Sequence, residues 1–383
     1  MKRNYIAKRF QNAGSGLTLD TEALAKYKDI IDLSIGDTDF ITDEGIINAA
    51  FRDAKAGYTR YGDPKGDPEL IDAVCRAWQE DFEQKLPHDH VLVSASSCLG
   101  MALVMFSILD PGDEVIVFSP YFPMYRTQIE LAGGVCVDVP TYANEDYAID
   151  EARLRAAITP RTKAIIFNNP TNPTGMAYGN DTLEMLARVA KEYDLLIAAD
   201  EIYTTYLYEG DFRPLRTLPG IAERVITLNS FSKNFLMTGW RVGVIIAEPE
   251  LLEVMNDING SLIYTAPSIS QRAAIHALSM RREIREKYVT AYRDRIFYTA
   301  DRIEKIPYLS LVRPKGTFYL FPGIEKTGLT DDEFCNVLLD KAHVLVSHGK
   351  AFGTAGAGHF RIACTVGIDT LKIAFDRMEK LSF

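Results

Sequence analysis

Between about residues 70 and 250, short apolar runs rich in β-branched residues alternate with helical stretches. Few folds accept that pattern. The runs are HVLVSA (90–95), DEVIVFSP (113–120), KAIIFNNP (163–170), DLLIAADEIY (194–203), RVITLNSF (224–231) and RVGVIIAE (241–248). Helical patterns lie between several of them, over 98–109, 121–132 and 180–193. Strands that are apolar almost throughout are buried on both faces, and the helices between them supply the crossovers of a mostly parallel sheet. RVITLNSF and RVGVIIAE are joined by a loop too short for a helical crossover, so one of the two is expected to run antiparallel.

A chain of 383 residues exceeds one ordinary core, so two lobes are expected. A long, charge-rich helical pattern covers about 267–300. After it, LSLVRPKGTFYLFPG, VLVSHGKAFG, HFRIACTV and a C-terminal helical stretch have the texture of a smaller α+β domain. IIDLSIGDTDF (30–40) either joins that domain or bridges the lobes. The expected division is an arm at 1–30, a large domain at 46–270, and a small domain made of 31–45 and 271–383. The net charge of −10 argues against a nucleic-acid or anionic-membrane surface. The five cysteines are scattered without a CxxC pair and read as reduced thiols of a cytoplasmic protein. MKRNYIAKRF is basic but is not followed by an apolar stretch, and no apolar run approaches the ~20 residues that span a bilayer.

In open α/β sheets, ligands bind beyond the carboxyl ends of the strands, so the residues there carry the chemistry. SASSCLG (94–100) ends a strand and opens a helix. Ser96, Ser97 and Cys98 therefore either cap the helix or bind an anion on its free amides. In SPYFP (119–123), Phe122 either packs in the core or stacks on a flat ligand. NNPTNPTG (168–175) is a stiff turn that presents the Asn172 amide at a fixed place. Asp200 closes an apolar strand, so its carboxylate either meets solvent or needs a cationic or donor partner. Tyr203 follows three residues later. In NSFSKNFLMTGWRVG (229–243), Lys233 lies among Ser230, Ser232 and Arg241. A lysine of lowered pKa can form a Schiff base with a carbonyl, and the serines with Arg241 can hold a phosphate. Arg361 in HFRIAC either snorkels from an edge strand or pairs with a substrate carboxylate. His88 and His90 lack the cysteine or acidic neighbours of a metal site, and no metal is expected.

SFSKNFLMTGWRVG, NPTNPTG and DEIY together resemble the class I/II aminotransferases, of the fold-type-I pyridoxal-phosphate enzymes. IGDTDF and YGDPKGDPEL resemble further stretches of that family, and the likeness covers nearly the whole chain. It implies an α/β large domain with a mostly parallel seven-stranded sheet and a smaller α+β domain. It implies pyridoxal 5'-phosphate as cofactor, held as a Schiff base on Lys233, which also moves the substrate proton. By the same resemblance Asp200 pairs with the pyridinium nitrogen, and Tyr203 and Asn172 bond the phenolic oxygen. Phe122 stacks on the ring, and Ser96, Ser97, Cys98, Ser230, Ser232 and Arg241 surround the phosphate. Tyr61 reaches that phosphate from the other subunit of a homodimer. Arg361, Asn172 and the Gly36 backbone take the substrate carboxylate. The Ser119–Pro120 and Asn172–Pro173 bonds are expected to be cis.

The substrates implied are an L-amino acid and a 2-oxo acid, with 2-oxoglutarate as acceptor. Positions near Ser261 and Cys98, where the family's dicarboxylate specialists carry a basic residue, are not basic here. With Tyr264, Ile263 and Tyr5, this points to an apolar or aromatic donor. A C–S β-lyase of the cystathionine type shares the same residues and is the alternative reaction. A non-catalytic pyridoxal-phosphate-binding regulator is a third reading.

Overall fold

The computed structural model describes residues 5–7 and 27–383. The strands, in chain order, are β1 (Ile31–Asp32), β2 (Val91–Ser94), β3 (Glu114–Ser119), β4 (Val135–Pro140), β5 (Thr162–Asn168), β6 (Leu196–Asp200), β7 (Val225–Ser230), β8 (Gly243–Ile246), β9 (Tyr319–Leu320), β10 (Val344–Leu345), β11 (Ser347–His348) and β12 (Phe360–Ala363). A seven-stranded sheet has the order β2-β8-β7-β6-β5-β3-β4. β8 runs antiparallel to both β2 and β7, and the other pairings are parallel. The short β7–β8 connection therefore has the consequence expected of it.

β2, β3 and β8 are buried along their whole length and β6 at all but its first residue, as their apolar runs require. One apolar cluster lies between the sheet and the helices Ser97–Ile108 and Pro249–Leu262, and another packs the opposite face around the helix Asn180–Glu192. β4 has no counterpart among the runs read from the sequence. It is one of the two edge strands of this sheet, its residues are mostly half-buried, and VCVDVP is broken by Asp138. The long pattern at 267–300 is two helices, Ser268–Ser279 and Arg281–Ile303. The break falls at Met280, whose backbone (φ −101°, ψ 7°) has left the α-helical well.

A separate apolar cluster joins Leu33 to residues between Ile296 and Met378. It covers the small antiparallel sheet β11-β12-β9. β1 pairs in parallel with β10, so the 30–40 stretch is tied to this smaller unit. At the other end of that stretch, the Thr42 hydroxyl donates to Leu236 O at 2.7 Å, next to the lysine loop. Three X-Pro bonds are cis: Ser119–Pro120, Asn169–Pro170 and Asn172–Pro173. The first and third were expected, and Asn169–Pro170 was not.

Candidate active site

The carboxyl ends of β2, β5, β6 and β7 lie along one edge of the sheet, and a cavity of about 670 Å³ opens there against the smaller unit. Its size suits a small-molecule site. Its lining brings together Gly36, Ser96, Ser97, Cys98, Phe122, Asn172, Asp200, Tyr203, Ser230, Ser232, Lys233, Arg241 and Arg361. Tyr61 lies outside it, largely exposed, with its ring edge-on to Tyr264 at 5.0 Å.

One end of the cavity is built for an anion. Ser96 caps the helix Ser97–Ile108, its Oγ accepting from Leu99 N at 3.2 Å. Its φ of 105° is rare for a residue with a side chain and turns the chain sharply into the helix. The helix opens with amides that have no acceptor within its first turn. β8 passes so close that a Cβ at Gly243 would lie 2.7 Å from Ser97 N, which only glycine avoids. On the facing loop, Ser230 Oγ accepts from Ser232 N at 3.1 Å. Arg241 Nη1 donates to Thr238 O at 2.8 Å, leaving the rest of its fork free of any carboxylate among the described residues.

The centre holds Asp200 and Lys233. Asp200 is buried, and burial pushes its pKa up to about 6. Its Oδ2 accepts from the Tyr125 hydroxyl at 2.5 Å, whereas Oδ1 has no partner among the described residues. Lys233 sits in the short helix Phe231–Asn234 directly after β7. Its Nζ donates to Gly36 O at 2.5 Å, and its own carbonyl accepts from Tyr206 Oη at 2.8 Å.

The far end belongs to Arg361 on β12. It is buried, and burial holds its pKa below the ordinary guanidinium value. Nη1 donates to Asn172 Oδ1 at 2.9 Å and Nη2 to Ser34 O at 2.6 Å, while Nε has no partner among the described residues. The guanidinium lies over the Tyr319 ring at 4.5 Å, and the Tyr203 hydroxyl donates to Tyr319 Oη at 3.1 Å. Burial raises the Tyr203 pKa well above the ordinary phenol value, so it remains a donor.

Tyr125, Tyr319, Ser34 and Gln128 line this cavity but were not singled out in the sequence. The two tyrosines sit in apolar patterns where an aromatic reads as core. Ser34 and Gln128 meet the site only through contacts remote in sequence, such as Gln128 Nε2 to Cys98 O at 2.7 Å. Gly36 owes its identity to Tyr319, because a Cβ there would overlap the Tyr319 hydroxyl. Gly36→Ala should therefore displace a ring held beneath Arg361. Overpacking of this kind costs ~1–3 kcal/mol, and kcat/KM for the amino acid should fall about tenfold or more. Steady-state kinetics with a melting curve of the variant checks this.

A sheet with a lysine and a buried acid at its carboxyl edge, faced across the cavity by a buried arginine from the smaller unit, is the architecture of an amino-group-transferring enzyme. The sequence pattern of the aminotransferase class I and II family matches residues 28–378, and the chain belongs to that family. It is 36% identical to an aspartate aminotransferase of Pyrococcus abyssi, over 93% of this chain and 92% of the relative. Among solved structures, Thermus thermophilus aspartate aminotransferase with maleate superimposes at a TM-score of 0.93, with 32% identity over 99% of this chain and 100% of that one. An aromatic aminotransferase from Pyrococcus horikoshii OT3 gives 0.90, with 33% identity over 94% and 97%. The protein is a transferase of amino groups, and the lyase alternative is not favoured by relatives named aminotransferases. No described helix is long and apolar enough to cross a membrane.

Proposed function

We propose that this cavity binds pyridoxal 5'-phosphate as a Schiff base on Lys233 and moves an amino group from an L-amino acid to a 2-oxo acid, in a cytoplasmic homodimer. The observation that carries the reading is a pair of buried, uncompensated opposite charges on one cavity: Asp200, whose Oδ1 has no partner, and Arg361, which has only neutral acceptors. A buried charge without a counter-charge is costly, so each implies a charged ligand group. A protonated ring nitrogen fits Asp200, and an α-carboxylate fits Arg361.

The bound cofactor supplies an electron sink that makes the substrate Cα–H acidic. Asp200 Oδ1 holds the proton on the ring nitrogen. Lys233 would be the base that takes the proton from Cα. Tyr203 and Asn172 hold the phenolic oxygen, and Phe122 packs on the ring. The helix opening at Ser96, Ser97 and Cys98, with Ser230, Ser232 and Arg241, holds the phosphate. Tyr61 completes that cradle from the second subunit, a role consistent with its exposure and its place outside its own cavity. Arg361, with Asn172 and the Gly36 backbone, orients the substrate carboxylate. Division into a large domain at 46–270 and a small one at 31–45 with 271–383 belongs to the same reading, supported by the separate apolar cluster of the smaller unit.

The donor favoured is an apolar or aromatic L-amino acid, with 2-oxoglutarate as acceptor. Ile35, Leu339, Leu345 and Val346 line the same cavity as Arg361, and Cys98, at its other end, carries no second cation. A half-reaction panel tests this. Protein loaded with pyridoxal phosphate is mixed with single amino acids and no oxo acid. The visible band of the bound cofactor should be lost, with stoichiometric release of the matching 2-oxo acid, fastest with phenylalanine or leucine. Pyruvate and ammonia from cystathionine, with the band retained, would instead establish the lyase. Aspartate as the fastest donor would overturn the donor assignment alone.

A further inference from the structure

We propose that Tyr125 is a positioning residue that fixes the Asp200 carboxylate, so that Oδ1 alone faces the cavity and the group stays ionised there. The inference rests on the cofactor reading above, and it adds a residue that the sequence did not mark.

Asp200 is gripped from two sides. Its carbonyl accepts from Asn168 Nδ2 at 2.9 Å and from Asn169 N at 3.1 Å, which fixes the backbone at the end of β6. Its carboxylate is held by the Tyr125 hydroxyl on Oδ2, the one side chain that bonds it among the described residues, together with the Ile202 backbone. Tyr125 is itself held. It is buried in the helix Met124–Leu131, with its ring edge-on to Phe122 at 5.7 Å. Burial raises its pKa well above the ordinary phenol value, so it keeps its proton and can only donate to the carboxylate.

Charge follows from the same contact. Burial raises the Asp200 pKa, and the Tyr125 hydrogen bond opposes that rise. The other ionisable groups that act on Asp200 electrostatically are Cys98, Tyr203 and Glu201. Burial raises all three, Glu201 to about 8, so around pH 6 they are mostly uncharged. Asp200 therefore changes charge near pH 6, and the Asp200→Asn background separates its effect from those of Lys233 and His348, which line the same cavity. Affinity that depends on its negative charge is present above that pH and lost as pH falls through it. Without the Tyr125 donor, the Asp200 pKa rises further and the loss begins at higher pH.

The test is equilibrium binding of pyridoxal phosphate to the cofactor-free full chain from pH 5.5 to 8.5. It compares the native protein, Tyr125→Phe, Tyr125→His, Asp200→Asn and the Tyr125→Phe/Asp200→Asn double variant. Tyr125→Phe keeps the ring volume and should fold, as its melting temperature will report. Its affinity should fall about tenfold near neutral pH, the size of a lost hydrogen bond to a charged group. The midpoint of its pH dependence should move upward. Tyr125→His, which retains a donor, should recover part of both and serves if the phenylalanine variant does not fold. In the Asp200→Asn background, Tyr125→Phe should change neither affinity nor midpoint further. A Tyr125→Phe protein with native affinity and midpoint, while Asp200→Asn binds weakly, would overturn this inference alone. Equal loss at every pH in both backgrounds would also overturn it, by making Tyr125 purely structural. Native affinity in Asp200→Asn would instead bring down the cofactor reading on which it rests.

Discussion

Replacing Lys233 by alanine should abolish transamination while leaving a folded protein. The backbone at this position is secured without the side chain. Ser230 caps the short helix, and the Lys233 carbonyl accepts from Tyr206 Oη at 2.8 Å. The side chain gives up a hydrogen bond from Nζ to Gly36 O at 2.5 Å and a place 5.8 Å from the Phe318 ring. The melting temperature should therefore move little. Turnover should fall by at least about 10⁴-fold, because on the proposed reading the same amine would both tether the cofactor and move the proton, and each role would contribute separately. Steady-state assay of the loaded variant reads the loss directly. Turnover near the native rate with cofactor bound would mean that another group serves as base. The described lining of the cavity offers no second lysine.

Much of this site was legible because its residues interrupt patterns. Asp200 ends a run of three buried apolar residues, Lys233 follows an apolar strand, and Arg361 lies inside one. For Asp200 and Arg361 a charge sits where burial forbids an unpaired one, and a ligand becomes a natural counterpart. The fold was legible for the same reason, since continuous apolar strands with helices between them leave little choice of architecture. Residues that continue a pattern stayed hidden. Tyr125 and Tyr319 extend apolar faces, and only the folded chain shows that their hydroxyls meet Asp200 and Tyr203. Edge strand β4 was missed because it is half-buried and interrupted by Asp138, which pairs with Arg126. The site also draws on pairings far apart in sequence, such as Arg361 with Ser34 O, that no local pattern encodes.

Arg361→Leu should separate substrate recognition from stability. The native guanidinium is buried against Asn172 Oδ1 and Ser34 O, with aromatic rings at 4.5 Å (Tyr319) and 4.9 Å (Phe352), and with no carboxylate among its partners. Free of substrate, it is a desolvated cation whose cost is only partly offset by neutral oxygens and ring faces. Replacing such a charge with an apolar side chain is often neutral or stabilising, so the melting temperature of the variant should hold or rise. Recognition of the amino acid should suffer. Truncating one partner of a buried, hydrogen-bonded charge pair costs ~2–5 kcal/mol, and kcat/KM should fall roughly 10²–10³-fold, mainly through KM. Arg361→Lys should recover only part of this, because an ammonium keeps the charge but loses the planar fork. The decisive comparison is between an amino acid and the amine that lacks its carboxylate. Native protein should strongly prefer the amino acid. The leucine variant should lose that preference because its rate with the amino acid falls, with little change for the amine. An unchanged preference would place the carboxylate elsewhere in the cavity and leave the buried arginine as a structural charge.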